Sequence, residues 1–183
     1  MSEPFLETQF EMPDGVHIRI RPAQAEDLPG LEWDGEFSHF RKLYRQHFHN
    51  TQTGNTRIWV AESEQGEVVG QVFLMLNSRQ AEMADGITRA YLFSFRIKQN
   101  YRDKGLGSFM LAFVEKFLLE KGFDTLRLNV ARLNVKARHM YEKHGFRVVA
   151  PEEGRWKYED QFGNWQTVHE PAWKMIKKLK TQF

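Results

Sequence analysis

Between residues 16 and 21, apolar Val16, Ile18 and Ile20 alternate with His17, Arg19 and Arg21. That is the period of a half-buried strand, and Pro22 ends it. The spacing then lengthens to three and four residues. Phe37, Phe40, Leu43, Tyr44 and Phe48 share a helical face, while Pro29, Gly30 and Gly35 divide residues 25–50 into short pieces. "RIWVAES" and "EVVGQVFLML" predict two strands joined by a turn, and "ITRAYLFSFRI" predicts a central strand dense in aromatic and β-branched residues. From Leu106 the period changes again. Leu106, Phe109, Met110, Phe113, Val114, Phe117 and Leu118 form one wide apolar stripe that stops at Gly122, a helix.

"DTLRLNV" predicts a further strand, and "NVKARHMYEKHG" a helix capped by Asn134 and closed by Gly145. "FRVVA" and "AWKMIKKL" are the last two expected strands. Residues 151–171 between them are rich in aromatics and turn formers, suiting a hairpin or loop insertion. Residues 1–15 are expected as a tail or strap, and 16–183 as one domain. Strands and helices in this order predict an α/β domain built on one mixed sheet with hairpins and crossovers.

Composition narrows the function classes. The 183 residues, 41% hydrophobic with 15 phenylalanines, suffice for one core. Without cysteine there is no disulfide, thiolate nucleophile or cysteine-bound zinc. The acidic start lacks a secretory signal, and no run approaches the roughly 18 apolar residues of a membrane span. A soluble cytoplasmic protein with no membrane or nucleic-acid partner is expected, since the net charge is only +2. The basic run "KMIKKLK" suits a solvated strand face, and the seven histidines, His39, His47 and His49 included, lack metal-site spacing. They are expected at the surface or in hydrogen bonds, with no metal.

The chemistry-bearing stretch is "YRDKGLG", residues 101–107, between a strand and the long helix. Such a turn serves two purposes. It changes chain direction, or it offers unpaired helix-start amides to a phosphate, with the glycines allowing close approach. A P-loop is excluded because the Gly-Lys-Ser/Thr end is missing. The dinucleotide pattern is excluded because Met110 stands where its third glycine belongs.

Two blocks in order, Arg102, Gly105 and Gly107, then Asn134, Ala137, Tyr141, Gly145 and Phe146, resemble the GCN5-related N-acetyltransferase (GNAT) superfamily. The likeness spans roughly residues 16–180 and is densest over 91–147. It implies a mostly antiparallel sheet of about seven strands, helices on both faces and a splayed central pair. It also implies acetyl-CoA as donor substrate and a primary amine of a small molecule, peptide or protein as acceptor. The turn from Arg102 through Asp103, Lys104, Gly105, Leu106 and Gly107 to Ser108 is then expected to hold the coenzyme pyrophosphate. Phe95, Arg96 and Ile97 would pair with the pantetheine arm, and Asn134 and Ala137 would lie beside it.

Tyr141 is expected as the acid at the leaving sulfur. The base is less defined. Relatives that acetylate protein N-termini carry a glutamate five residues before the cap asparagine. Asn129 stands there, and an amide orients water without taking up a proton. Glu62 is the expected distant base, acting through water. Asp34, Glu36 and His39 lie in the segment expected to wall the acceptor site. The acidic, aromatic stretches "EWDGEF" and "WKYEDQFGNW" suit a cationic, partly apolar amine. Homodimers are common among such proteins, and Trp156, Trp165 and Trp173 suit such an interface. The alternative is an acyl-CoA-binding module that has lost turnover.

Overall fold

The computed structural model describes residues 6–180. In chain order the chain forms β1 (Thr8–Glu11), β2 (His17–Pro22), a 3₁₀ segment (Ala25–Gly35) and α1 (Arg41–Gln52). The hairpin β3 (Thr56–Glu62) and β4 (Val68–Met75) follows, then β5 (Arg89–Ile97) and α2 (Leu106–Glu120). The last part comprises β6 (Thr125–Ala131), α3 (Val135–Lys143), β7 (Arg147–Glu152), β8 (Arg155–Glu159), β9 (Trp165–His169) and β10 (Ala172–Lys178).

Eight strands form one sheet in the order β1-β2-β3-β4-β5-β6-β10-β7. Only the β5–β6 pair is parallel. The strand beyond the expected seven comes from the predicted tail: β1 pairs with β2 in register Thr8 opposite Ile20. Residues 1–5 of that tail lie outside the described residues. Within 151–171, β8 and β9 form a separate hairpin beside the sheet.

Alternation along the central strands decides the layers. On β3, Ile58 and Val60 face α1 and the 3₁₀ segment, packing with Leu31 and Tyr44. Trp59 and Ala61 face the other way, into the larger core with Met110, Val114 and Phe117 of α2 and Tyr141 of α3. Apolar residues on both faces of a strand require cover on both sides. Helices therefore lie on both faces of the sheet.

Arg21 fastens the 3₁₀ segment to the sheet. Its guanidinium donates twice to the Asp27 carboxylate, at 2.7 and 2.8 Å, and again to Glu62 of β3. Burial opposes the charge on Asp27, but the Arg21 fork and the Gln24 N–H outweigh it and hold its carboxyl below the usual range. Three lysines of the "KMIKKLK" run are engaged in ion pairs, Lys174 with Glu152, Lys177 with Glu115 and Lys178 with Asp124.

His47 departs from the surface expectation. On α1 it packs edge-on against Phe73 and Phe93, with ring centroids 5.9 and 4.8 Å away, and its Nδ1 is buried without a partner. Burial pushes its pKa down to about 4. An unfolded chain takes up that proton near 6.5 while the folded one does not, so stability falls as pH drops through this window. Urea unfolding at about pH 7 and about pH 4.5 should show wild type losing roughly 2–3 kcal/mol more than His47→Gln. A second expectation concerns the corner into β8. Gly154 has φ +70°, and an added Cβ would lie 1.8 Å from the Glu170 carbonyl oxygen. Gly154→Ala should displace this corner and lower Tm, with a cost of about 1–3 kcal/mol by thermal unfolding.

Candidate active site

The sheet opens at its centre. β5 and β6 pair in parallel from Arg89 with Thr125 to Leu92 with Leu128, and no further. Beyond that rung β6 stays with β10 as far as Ala131 opposite Ala172. β5 follows β4 through a bulge, where Val72 faces both Ser94 and Phe95. Ser94 sits there at φ +46°, a left-handed conformation costing about 1–3 kcal/mol in a non-glycine residue. A bulge bends its strand, so the two strands diverge and the β6-facing edge of residues 93–97 has no strand partner.

On the α2 side, the strand runs out through a 3₁₀ turn into the glycine turn. None of the six backbone N–H groups from Asp103 to Ser108 donates to another described residue. Asp103 (φ 60°) and Gly105 (φ 90°) are left-handed and turn these amides about one concavity, an anion nest at a helix start. This geometry fits a pyrophosphate bound through backbone. A pocket of about 640 Å³ opens beside it, lined by Asp103, Ser108, Lys136, His139, Lys143 and His144 among others. Ser108 Oγ lies 2.9 Å from His144 Nε2, tying the first turn of α2 to the end of α3.

Arg102 differs from the rest of the turn. Its Nε donates to the Ile97 carbonyl at 2.6 Å and its amide to Gln99, so it braces the end of β5. Gly105 is required by its own backbone: a side chain there is strained whatever surrounds it, so its substitution tests the fold together with the ligand. Asn134 caps α3, accepting the Ala137 N–H at 3.2 Å. Tyr141 is 7% exposed, and burial first, then neighbouring Tyr91, raises its phenol well above the ordinary value. It is a neutral donor at every physiological pH.

On the opposite face a cleft of about 510 Å³ lies over the splay. β5 supplies Tyr91, Phe93, Ser94 and Arg96, and β6 supplies Arg127, Asn129 and Ala131. The far walls come from α1 with Tyr44 and His47, from the 76–88 loop with Glu82 and Met83, and from the β7–β8 corner with Glu152 and Trp156. That loop is held at Asp85, whose carboxylate accepts the N–H groups of Arg89, Ile87 and Thr88 and is kept strongly acidic by them.

The predicted residues divide between these places. Residues 103–108 form the nest, and residues 95–97 the open strand edge. The Arg96 side chain, however, turns into the cleft, donating to Tyr44 Oη at 2.9 Å and stacking 4.3 Å over Phe37. Glu62 does not line the cleft, because its carboxylate is committed to Arg21 at the far side of β4. Asp34, Glu36 and His39 do not line it either; their segment contributes Phe40, Leu43, Tyr44 and His47. Of "EWDGEF" and "WKYEDQFGNW" only Trp156 reaches it, while Glu32 pairs with Arg41 and Glu159 with Lys42. The expected acidic cleft for a cationic amine is therefore replaced by one of mixed charge, lined by Glu82, Glu152 and Glu170 as well as by Arg96, Arg127 and Arg155.

Arg127 was outside the sequence expectations, although "LRLNVA" carried a signal. In a strand covered on both faces, Arg127 and Asn129 alternate with Leu126, Leu128 and Val130. Polar side chains at inward positions of a central strand mark a site more than a core. Among the described residues, no group of three or more His, Cys, Asp or Glu is placed to hold a metal, and no helix is long and apolar enough to cross a membrane.

Comparison with known proteins agrees with this architecture. The chain is 27% identical over 147 residues to the uncharacterized N-acetyltransferase YdgE of Bacillus subtilis, spanning 79% of this chain and 89% of that protein. The ribosomal-protein-S18-alanine N-acetyltransferase of Escherichia coli matches with a TM-score of 0.64 at 19% identity, over 91% of this chain and 96% of that one. A GNAT family acetyltransferase from Elizabethkingia anophelis, solved with acetyl-CoA bound, matches with a TM-score of 0.61 at 15% identity, over 88% and 98%. At such identities the structures speak for the fold alone. The sequence match to the acetyltransferase (GNAT) family runs over residues 22–146, from the end of β2 to the edge of β7. It takes in both halves of the splayed sheet and more than half of the chain, which belongs to the acetyltransferase (GNAT) family.

Proposed function

We propose that the protein transfers the acetyl group of acetyl-CoA to a primary amine by direct attack of the amine on the thioester. The observation carrying this reading is the run of unpaired amides at residues 103–108, continuous with an unpaired strand edge at 93–97. Acetyl-CoA, as donor substrate, brings an acyl carbon activated by its thioester. The nest holds the pyrophosphate, and the open edge of β5 hydrogen-bonds the amides of the pantetheine arm as an added strand would. The bulge at Ser94 and Phe95 frees backbone from the ladder, and an amide there polarises the acyl oxygen.

The acceptor enters from the cleft on the other face. Its nitrogen bonds to the acyl carbon while the carbon–sulfur bond breaks and the electron pair leaves on sulfur. Tyr141 serves the sulfur. Its phenol holds its proton far more tightly than an ordinary thiol does, so it stabilises the thiolate as a hydrogen-bond donor and solvent completes the protonation. The proton lost by the amine leaves through cleft water oriented by Asn129. Glu62 has no role in this scheme, because Arg21 holds its carboxylate away from the cleft.

A thiol-release assay with acetyl-CoA against amino acids, polyamines, aminoglycosides and short peptides tests the reading. Tight coenzyme binding with no thiol released from any acceptor would establish an acyl-CoA-binding module instead. Tyr141→Phe should lower kcat by about a hundredfold while acetyl-CoA affinity stays within about threefold; equal losses would remove the donor role. Lys143→Glu, in the pocket beside the nest, should weaken acetyl-CoA binding about tenfold by calorimetry with Tm unchanged.

A further inference from the structure

The floor of the acceptor cleft holds two polar atoms that nothing in the fold satisfies. Arg127 Nε and Asn129 Oδ1 are both buried and have no hydrogen-bond partner. They belong to residues two apart on β6, so their side chains leave the same face of the strand about 7 Å apart. One is a donor on a cation, the other an acceptor.

Arg127 is the sharper anomaly. It is 6% exposed, and one of its terminal nitrogens is spent on the Glu82 carbonyl of the 76–88 loop. Among the described residues, no carboxylate lies within ion-pair distance of its guanidinium. Glu152 is near enough to feel its charge, but that carboxylate is bound by Lys174 at 3.2 Å and by the Gly154 N–H at 3.3 Å. Arg96, the second guanidinium of the cleft, is held by Tyr44 and Phe37 and likewise faces no carboxylate. A buried cation without an anion is costly, and leaving it so is justified only if something else brings the charge.

We infer that the acceptor is an amino acid, its carboxylate bound by Arg127 and its amine by Asn129. The inference rests on the acetyl-transfer reading of the same site and names its substrate class. The positions require a compact molecule. Leu128, between the two residues, is the last rung paired with β5, so the thioester admitted at the splay lies beside Asn129. An amine there and a carboxylate one side-chain position away suit an α-amino acid, whose two groups are separated by a single carbon. A polyamine could meet the glutamates of the cleft wall but would bring no anion to Arg127. A peptide N-terminus would leave Arg127 facing a neutral amide.

The test compares the standard L-amino acids with their own carboxamides, with spermidine alongside, by thiol release from acetyl-CoA and by calorimetry on the coenzyme-loaded protein. At least one amino acid should be preferred over its carboxamide by about a hundredfold in kcat/KM, carried by KM. Arg127→Met should abolish that preference, and Arg127→Lys, which keeps the charge, should restore part of it. If Arg127→Met does not fold, the wild-type comparison and Arg127→Lys decide the matter. Equal use of carboxamides, preference for spermidine, or failure of every amino acid to bind would overturn the inference while leaving amine acetylation standing. Selective binding of amino acids without thiol release would do the reverse: it supports the carboxylate site and removes acetyl transfer.

Discussion

The structure depends on a parallel junction that is only four rungs long. Arg89–Leu92 of β5 and Thr125–Leu128 of β6 are the strand pairing that joins the β1–β5 half of the sheet to the β6-β10-β7 half. A parallel pair needs a long crossover, and α2 supplies it, so the helix that closes the core also starts where β5 ends. The bulge at Ser94 bends β5 away while β10 holds β6 straight. The outcome is a hole in the hydrogen-bonded network, flanked by a helix start on one face and a roofed cleft on the other.

Such a hole carries free energy costs. The β6-facing edge of residues 93–97 has no strand partner, six amides at 103–108 have no protein acceptor, and Arg127 Nε and Asn129 Oδ1 on β6 are buried without a hydrogen-bond partner. Water can reach the strand edge and the turn amides, whereas each of the two buried atoms on β6 costs about 1–3 kcal/mol, a sizeable fraction of the net stability of a domain. The surrounding fold is correspondingly tight. Trp59, Val72, Leu74 and Met110 are essentially inaccessible, and Arg21 locks the 3₁₀ segment against β2 and β3. A rigid frame keeps the unpaired groups from finding partners by collapse, which preserves them for ligands.

Much of this was legible in the chain. The strand and helix periods of residues 16–22, 56–75, 106–122 and 172–179 follow from which faces are covered, and these elements stand where the pattern put them. The extra edge strand β1 was not legible because "TQFE" is four residues long and its pairing with β2 is a tertiary choice. His47 was mistaken for a surface residue because a lone polar position on an amphipathic helix carries no sign of what packs over it. The ion pair of Glu62 was hidden for a related reason: its partner Arg21 is distant in sequence and adjacent only through the β2–β3 pairing.

The donor and acceptor sides differ in how they use the chain, and that explains their unequal legibility. The donor side is built from backbone. Amides can be presented to an anion only where the chain takes left-handed or unencumbered conformations, and that demand is written as Gly105 and Gly107 at fixed spacing. The acceptor side is built from side chains drawn from β5, β6, α1, the 76–88 loop and the β7–β8 corner, with no spacing rule linking them. What survives in one dimension is a violation: Arg127 and Asn129 occupy positions of a doubly covered strand where apolar residues would cost less. Arg127 keeps a buried Nε without a partner and meets no carboxylate among the described residues, and on the reading proposed above that depth suits a small molecule whose carboxylate can reach the splay.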